Sequence, residues 1–271
     1  MCASNRVSAR PKYRLLSNAC LKNRLCAASL FTEPHKPDAC LKKYTMQIDF
    51  TRPLLAIDTS TSYLSLALSA GNQIFSRHLE AGNRQSEWIL PQIQELFAEA
   101  GIGAADLAAI VYAQGPGAFT GLRIGIGVAQ GLAAPFDTPL IGIPCLDAVA
   151  FQIQADCVLA ATDARMGEVF YAWFDTVNHR RLSDAQVGAA AAIKPPAAAK
   201  QPQGIGNAFA LAEPPPFAGL PDMPTAANYL ALAQSGRYPA TRADEAALLY
   251  VRDKIALTAR EQAERKQNSA L

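Results

Sequence analysis

The spacing of hydrophobic residues predicts that the patterned part of the chain begins with strands. Leu54–Asp58 is a short apolar run that ends in an acid, and it predicts a buried strand. Apolar and small residues alternate over residues 64–69, which predicts a half-buried strand. Gly71 and Asn72 indicate a hairpin turn before a return strand over residues 74–79. The pattern therefore opens with three strands.

Helical spacing follows these strands. Apolar residues recur every three or four positions over residues 86–100, with Ser86 as the predicted N-cap and Gly101 as the residue that ends the helix. Two further strands are predicted at residues 109–113 and 140–143, and each is followed by a predicted helix, at residues 120–133 and 146–154. The predicted order up to this point is β-β-β-α-β-α-β-α.

The second half of the chain begins with a similar pattern. Val158–Asp163 is again an apolar strand that ends in an acid, and alternation over residues 169–173 predicts a half-buried strand. Two strands that end in aspartate indicate an internal duplication. We therefore expect an N-terminal subdomain over residues 46–156 and a C-terminal subdomain over residues 157–271.

The rest of the second half is less regular. Residues 185–224 are rich in alanine and contain eight prolines between Pro195 and Pro224, so they are predicted to be loop. Helical composition returns twice after this segment, over residues 225–235 and 244–263. The second subdomain is thus expected to contain fewer regular elements than the first.

The densest motif is GPGAFTGLRIGIGVAQG, which runs from Gly115 to Gly131. Pro116 fixes its own φ between two glycines, and Thr120 is the predicted N-cap of a helix. That helix carries four glycines: Gly121, Gly125, Gly127 and Gly131. Each glycine inside a helix costs about 1 kcal/mol relative to alanine. Because they form two pairs spaced four residues apart, they make smooth stripes on which another backbone can pack.

Two interpretations of this motif are open. A glycine-rich turn before a helix N-terminus can bind phosphate. The motif matches neither GxxxxGK[ST] nor GxGxxG, since no lysine follows the glycines and Thr120 stands where the last glycine would be. The alternative is a close-packing helix, either inside the fold or against a partner. We favour packing, because the glycine pattern continues for two turns beyond any phosphate.

The formal net charge of +2 conceals an uneven distribution. Residues 1–45 contain nine of the 25 lysines and arginines but only two of the 23 acidic residues, so the rest of the chain holds 16 basic and 21 acidic residues. This mildly acidic body has no overall positive field for nucleic acid. Four of the six cysteines also lie in residues 1–45, in no metal-ligand spacing, which is typical of a reduced, cytoplasmic protein.

Residues 1–45 have no periodicity and no apolar run long enough for a signal peptide or a membrane span. Their basic, serine-containing composition resembles a transit peptide. The alternative is a misassigned start, with Met46 beginning a self-contained domain. We favour the misassigned start, because Pro11, Pro34 and Pro37 interrupt the amphipathic helix that a transit peptide needs. In either case we expect this leader to be disordered.

Asp58 and Asp163 are the candidate functional acids, since open α/β sheets bind ligands at the carboxyl edge where these strands end. Each could bind a metal and phosphate, or could instead accept hydrogen bonds from nearby backbone amides. Asp58 is followed by Thr59, Ser60 and Thr61, which offer hydroxyl donors but no glycine. A phosphate could therefore not approach this turn as closely as a glycine-rich one.

The other reactive residues make no complete catalytic set. His78 and His179 lie in no HxxxH or HExxH pair, so a metal site is not expected. Cys145 is expected to be a small buried hydrophobe rather than a nucleophile. Arg123 and Arg165 could bind anions or could form ordinary surface ion pairs.

Three stretches closely resemble the TsaB (YeaZ) family: LLAIDTST at residues 54–61, GPGAFTGLRIGIGVAQGLA at residues 115–133, and DARMGEVFYA at residues 163–172. The second stretch is highly specific. The order of elements also resembles one half of the actin, sugar-kinase and heat-shock ATPase superfold. The resemblance implies a duplicated α/β fold of two subdomains, the second one degenerate. It also implies a degenerate nucleotide site, formed by Asp58, Thr59, Ser60, Thr61 and Asp163.

The family further implies a non-catalytic subunit, with ATP or ADP only at a complex interface. Its partners would be the metal-binding subunit TsaD and the ATPase TsaE. Together they transfer a threonylcarbamoyl group, made by TsaC, onto the adenosine beside the anticodon of tRNAs that read codons beginning with A. The resemblance implies a cytoplasmic protein that forms a homodimer when alone and meets tRNA only through the complex.

In this family the first two helices form a four-helix bundle with the same helices of TsaD or of a second copy. Carried over to this chain, the interface residues are Trp88, Ile89, Gln92, Leu96, Gly121, Arg123, Gly125, Gly127 and Gly131. Gln85 is a departure, since the family often has a histidine there. An alternative function, an independent ATP-dependent kinase-like enzyme or a peptidase, depends on Asp58 and Asp163.

Overall fold

The computed structural model describes residues 46–197 and 201–251, so the predicted leader and residues 252–263 of the last predicted helix lie outside the described residues. Four α-helices lie in these ranges: α1 Gln85–Ala100, α2 Phe119–Ala133, α3 Cys145–Ala150 and α4 Ala226–Gln234. The strands there are β1 Leu54–Asp58, β2 Tyr63–Ala70, β3 Gln73–Glu80, β4 Ala109–Gly115, β5 Leu140–Pro144, β6 Val158–Asp163, β7 Glu168–Asp175, β8 Arg180–Arg181, β9 Gln186–Ala189, β10 Gln203–Ile205, β11 Gly219–Leu220 and β12 Ala240–Thr241.

The first sheet has the strand order β12-β5-β4-β1-β2-β3. β1 pairs in parallel with β4, and β4 with β5, while β2 and β3 form the predicted antiparallel hairpin. These central strands are continuous apolar runs, as is typical of parallel strands covered on both faces. The predicted order of strands and helices through α3 is confirmed.

Helices cover both faces of this sheet. α1 and α2 pack against the side that holds Leu55, Ile57 and Ile110. α4 packs against the opposite side, where Tyr229 and Leu230 meet β1 and β4.

The second helical layer covers the face of β2 that the sequence predicted to be exposed. The prediction that residues 64–69 are half-buried is therefore wrong, because all six are buried between the helical layers. The hydroxyl oxygen of Ser65 accepts a 2.8 Å hydrogen bond from the backbone amide of Ala226 at the start of α4.

The second sheet repeats the central arrangement of the first. Its order is β11-β10-β6-β7-β8, with β9 also paired to β7. β6 pairs antiparallel with β7 and parallel with β10, just as β1 pairs with β2 and β4. The internal duplication is therefore confirmed, and the fold is a duplicated α/β fold of the actin, sugar-kinase and heat-shock ATPase class. The prediction of loop over residues 185–224 is wrong at β9, β10 and β11, which are too short to give a pattern.

Two predicted helix starts are also wrong. α1 begins one residue before Ser86, with Arg84 at the N-cap position. α2 begins before Thr120, with Ala118 at the N-cap position and no side-chain cap. The predicted end of α1 is confirmed, since Gly101 has a left-handed φ of 66°.

Residues 242–251, here called the strap, form a turn and an extended segment without helix. The helix predicted from residue 244 is therefore wrong over its described part. The strap instead bonds to the first subdomain: Tyr112 Oη donates to the carbonyl of Ala247 at 3.0 Å, and the Leu249 amide donates to the carbonyl of Gln114 at 2.8 Å. Within the described ranges, no helix is long and apolar enough to cross a membrane.

Candidate functional site

A cleft of about 470 Å³ lies where several separate parts of the chain meet. Its walls come from the turn after β1, the start of α2, the end of β6 with the following hairpin, and the end of the strap, with single residues added by Cys145, Asn207 and Met223. Among the predicted site residues, Ser60, Thr61 and Asp163 line this cleft. The strand-end position expected from the sequence is thus confirmed for these three residues.

Asp58 does not line the cleft and lies buried behind it, with 4% of its surface exposed. Its Oδ1 accepts a 2.8 Å hydrogen bond from the backbone amide of Ser60. Burial raises the pKa of the Asp58 carboxyl above its ordinary value, and the hydrogen bonds from Ser60 oppose this shift only in part. Of the two roles considered for this acid, the structure shows the local backbone contact.

Asp163 makes the same contact in the second half of the fold. Its Oδ1 accepts a 2.7 Å hydrogen bond from the amide of Arg165, and the Arg165 side chain lies 3.5 Å from Oδ2. The backbone amide of Asp163 donates to Asn207 Oδ1 at 2.8 Å. The carboxylate is therefore held by its own hairpin and remains at the wall of the cleft.

In the described residues, the cleft does not supply the cluster of metal ligands that this fold class implies. Within the part of the chain that the structure describes, no group of three or more His, Cys, Asp or Glu residues could hold a metal ion. Asp58 is not among the residues that line the cleft. At Gly117, an added Cβ would lie 2.7 Å from the Ser60 carbonyl, so the turn before α2 packs directly against the turn after β1.

Two buried polar residues, Cys145 and Thr162, line the cleft, and a third, Tyr229, belongs to the hydrophobic core. Burial raises the pKa of the Cys145 thiol to about 12, so this thiol stays protonated and is a poor nucleophile. Among the described residues, Thr162 Oγ1 and Tyr229 Oη are buried without a hydrogen-bond partner. Thr162 lines the cleft, and no local pattern in the sequence signalled it.

The glycines of α2 divide into two sets. An added Cβ at Gly121 would overlap the Thr59 carbonyl, and one at Gly125 would overlap the Thr59 hydroxyl. These two glycines therefore face the turn after β1, and their assignment to a partner interface is wrong. At Gly127 and Gly131, an added Cβ would meet no atom of residues 46–197 or 201–251 within 4 Å.

A similar division applies to α1. Ile89 and Leu96 are 1% and 0% exposed and lie in the core under the first sheet, so their assignment to a partner interface is also wrong. Trp88 and Gln92 are only partly buried on the flank of the helix. Hydrophobic periodicity does not separate a residue at the core from one at its edge.

The exposed side of α2 also carries apolar residues that were not among the predicted interface residues. Three partly buried apolar residues follow one another at four-residue spacing: Ile124, Val128 and Leu132. They flank the exposed glycines Gly127 and Gly131. Here the name outer face covers Trp88, Gln92, Arg123, Ile124, Gly127, Val128, Gly131 and Leu132.

Arg123 lies at the cleft end of this outer face. Its guanidinium carbon is 3.5 Å from the centroid of the Phe119 ring, and Nη2 donates to Tyr250 Oη at 3.3 Å. It thus joins α2 to the strap.

Gln85 has a structural role. It stands where the family that this chain resembles often has a histidine. Its Nε2 donates hydrogen bonds of 2.8 Å to the Thr61 carbonyl and 2.9 Å to the Tyr63 carbonyl. The side chain is 4% exposed. Gln85 therefore holds the turn that forms one wall of the cleft.

Fold and site together define a duplicated α/β protein of the actin, sugar-kinase and heat-shock ATPase class whose described residues hold no cluster of metal ligands. Comparison with known proteins identifies the family. The family model described as "TsaD: tRNA N6-adenosine threonylcarbamoyltransferase" matches residues 72–214. The structure of YeaZ from Pseudomonas aeruginosa is 31% identical, with a TM-score of 0.66, and covers 73% of this chain and 99% of that one.

Curated relatives agree with this structural match. The tRNA threonylcarbamoyladenosine biosynthesis protein TsaB of Escherichia coli (strain K12) is 44% identical over 124 residues, which is 44% of this chain and 53% of that protein. TsaB of Haemophilus influenzae is 43% identical over 122 residues, or 44% of this chain and 52% of that protein. The matches thus span about half the length of these curated relatives. The chain belongs to the TsaB (YeaZ) family.

Proposed function

We propose that this chain is a non-catalytic subunit in tRNA threonylcarbamoyladenosine biosynthesis, and that its outer face binds a TsaD-like catalytic subunit. In the absence of that partner, the same face would pair two copies of this chain. A TsaE-like ATPase and tRNA, with its adenosine beside the anticodon, would be met through the complex. The names of the curated relatives support the process, and the geometry of α2 supports the surface.

The observation that carries this proposal is the exposure of Gly127 and Gly131. Each glycine costs a helix about 1 kcal/mol relative to alanine. Gly121 and Gly125 are explained by their contact with the turn after β1, whereas an added Cβ at Gly127 or Gly131 would meet no described atom within 4 Å. A facing helix that packs against this stripe would give the two exposed glycines a role, because small residues allow backbones to approach closely.

The surroundings of the stripe suit a helical partner. Ile124, Val128 and Leu132 flank it with apolar surface, and Trp88 adds an aromatic side chain from α1. The guanidinium of Arg84 lies 4.8 Å from the centre of the Trp88 ring, which gives this apolar surface a charged rim. An apolar centre within a polar rim is the usual composition of a protein interface.

The test is binding of the TsaD-like subunit from the same organism by the Gly127→Leu variant. We expect loss of the complex in size-exclusion chromatography, because a leucine at the centre of a close helix contact holds the partner away. The variant should stay folded, since leucine favours the helix and the site has room. It should also fail to restore threonylcarbamoyladenosine in the tRNA of depleted cells.

Gly188→Leu is the matched control. Gly188 lies on β9, and an added Cβ there also meets no atom within 4 Å. This control should bind the partner normally. Normal binding by Gly127→Leu would place the interface elsewhere. Hydrolysis of ATP by the isolated chain, abolished by Asp163→Asn, would favour the independent enzyme instead.

A further inference from the structure

We propose that a second pocket, which lies between α3, α4 and the turn before β8, binds a small carboxylate with a compact apolar body. The pocket has a volume of about 200 Å³. It is lined by His179 and by residues from two segments, 148–154 and 228–237, and is here called the α4 pocket. It shares no lining residue with the cleft and none with the outer face, so the proposal does not depend on the proposed subunit role.

The turn before β8 holds His179 in a fixed and unusual conformation. His179 has a φ of 53°, in the left-handed region that residues other than glycine rarely adopt. On one side of it, Asp175 Oδ2 accepts a 3.1 Å hydrogen bond from Arg180. On the other side, the hydroxyl of Thr176 donates a 2.8 Å hydrogen bond to the carbonyl of Ile153 in the loop after α3. The turn that carries the imidazole is therefore tied down on both sides of it, which is typical of a preorganised site.

Aromatic and aliphatic side chains supply the apolar part of the α4 pocket. The His179 ring stacks on the Phe151 ring, with centroids 5.5 Å apart and planes 14° from parallel. Phe151 is itself fixed by an edge-on contact with Phe174 of the second sheet, at 6.2 Å between centroids. Ala148 and Leu232 continue the apolar lining from α3 and α4. Because the pocket is smaller than the usual site of a drug-sized ligand, it suits a single ring or one short branched chain.

The polar part of the lining contains a cation and no acid. Within the described ranges, the guanidinium of Arg237 forms no ion pair, and the ring nitrogens of His179 make no hydrogen bond. Asn228 Oδ1 accepts a 2.9 Å hydrogen bond from the backbone amide of Thr225, which leaves the side-chain nitrogen of Asn228 as a donor. Three side chains with hydrogen-bond donors therefore remain for a ligand, and one of them is charged.

Acids on the neighbouring elements already have cationic partners. Asp147 of α3 pairs with Arg181. Asp175 at the end of β7 pairs with Arg180. The charge of Arg237 is thus left for a ligand, and a guanidinium binds a carboxylate through two parallel hydrogen bonds. One arginine balances a single negative charge, which favours a carboxylate head over a doubly charged phosphate.

Benzoate is the probe, and amide chemical shifts of the full-length chain are the readout. We expect saturable shifts at Ala148, Phe151 and Ala231, and weaker binding of benzyl alcohol, which lacks the charge, and of acetate, which lacks the ring. Arg237→Gln should weaken benzoate binding about tenfold, the effect of one charge-assisted hydrogen bond. His179→Asn should weaken it about fivefold. Both variants should stay folded, because Arg237 is exposed and asparagine tolerates a positive φ.

Arg242→Gln and His78→Asn are the matched controls. Arg242 is also an exposed arginine, paired with Asp244, and His78 also stacks on an aromatic ring, that of Tyr63. Neither lines the α4 pocket, so neither substitution should change the affinity for benzoate. Absence of saturable shifts with benzoate would overturn the proposal, as would equal binding of benzyl alcohol or unchanged binding by either pocket variant. Tighter binding of phenyl phosphate than of benzoate would overturn the assignment of a carboxylate head.

Discussion

The hydroxyl of Thr59 donates a 2.7 Å hydrogen bond to the carbonyl oxygen of Gly121. This contact presses the turn after β1 against the first turns of α2, and it leaves no room for a side chain at Gly121 or Gly125. Half of the glycine pattern in α2 is thereby explained inside the chain itself. The other half, Gly127 and Gly131, has no such contact with the described residues.

The two sets of glycines should respond oppositely to alanine. Gly127→Ala should raise the free energy of unfolding by about 1 kcal/mol, because alanine favours a helix and the site has room. Gly125→Ala should lower it by about 1–3 kcal/mol, because the new methyl group overlaps Thr59 Oγ1. Urea denaturation of both variants checks this prediction. Changes of the same sign in the two variants would contradict the assignment of the two faces.

Gln85→Leu should destabilise the protein. The substitution leaves the carbonyl groups of Thr61 and Tyr63 without the donor that now bonds to both, at a cost of about 1–3 kcal/mol. Gln94→Leu, at an exposed position of the same helix, is the control and should change the unfolding free energy by less than about 0.5 kcal/mol. Equal effects of the two substitutions in thermal denaturation would show that Gln85 does not hold the turn.

Asp58→Asn should stabilise the protein at neutral pH. Burial raises the pKa of the Asp58 carboxyl, so the folded state holds this proton more tightly than the unfolded state. Its contribution to stability is therefore greatest below the ordinary carboxyl pKa and declines as pH rises toward the raised pKa. Asparagine can still accept the hydrogen bond from Ser60 and carries no charge. The gain should appear at pH 7 and vanish near pH 4 in urea titrations.

Asp49→Asn provides the control of opposite sign for this pH experiment. Asp49 is exposed, and hydrogen bonds from Thr51 lower its pKa. Its contribution is present at neutral pH and is lost as pH falls through the lowered pKa, so Asp49→Asn should bring no gain at pH 7. A stability difference between Asp58→Asn and the natural chain that does not change with pH would contradict the buried-charge argument.

Cys145 should resist alkylation in the folded protein. Burial raises its thiol pKa to about 12, so very little reactive thiolate exists at pH 8. Iodoacetamide treatment followed by peptide mass spectrometry should find Cys145 unmodified in the native state and fully modified in urea. Cys157 serves as the comparison for the extent of alkylation in the same sample. Burial raises the pKa of its thiol as well, and 7% of the residue is exposed. Fast alkylation of Cys145 in the folded protein would contradict this prediction and would indicate a nucleophile in the cleft.

The sequence by itself determined the order of the main elements and the family. Long apolar runs and strong stop signals, such as Gly101 after α1, act through local geometry, so they can be read without the rest of the chain. The ends of β1 and β6 in aspartate also predicted the duplication correctly. Residues 163–172 and 115–133 were specific enough to identify the TsaB (YeaZ) family.

Tertiary structure alone decided which side of each element faces inward. α2 carries apolar residues on both sides, with Leu122 and Ile126 on the buried side and Ile124 on the outer one, so its pattern cannot show which glycines meet the rest of the chain. β2 is buried on both faces only because α4, more than 150 residues later, packs against it. The cleft joins segments distant in sequence, and no local signal could place Thr162 in the same cleft as the start of α2. Local spacing determines the helices and strands, whereas the burial of each side chain depends on contacts between parts of the chain that are distant in sequence.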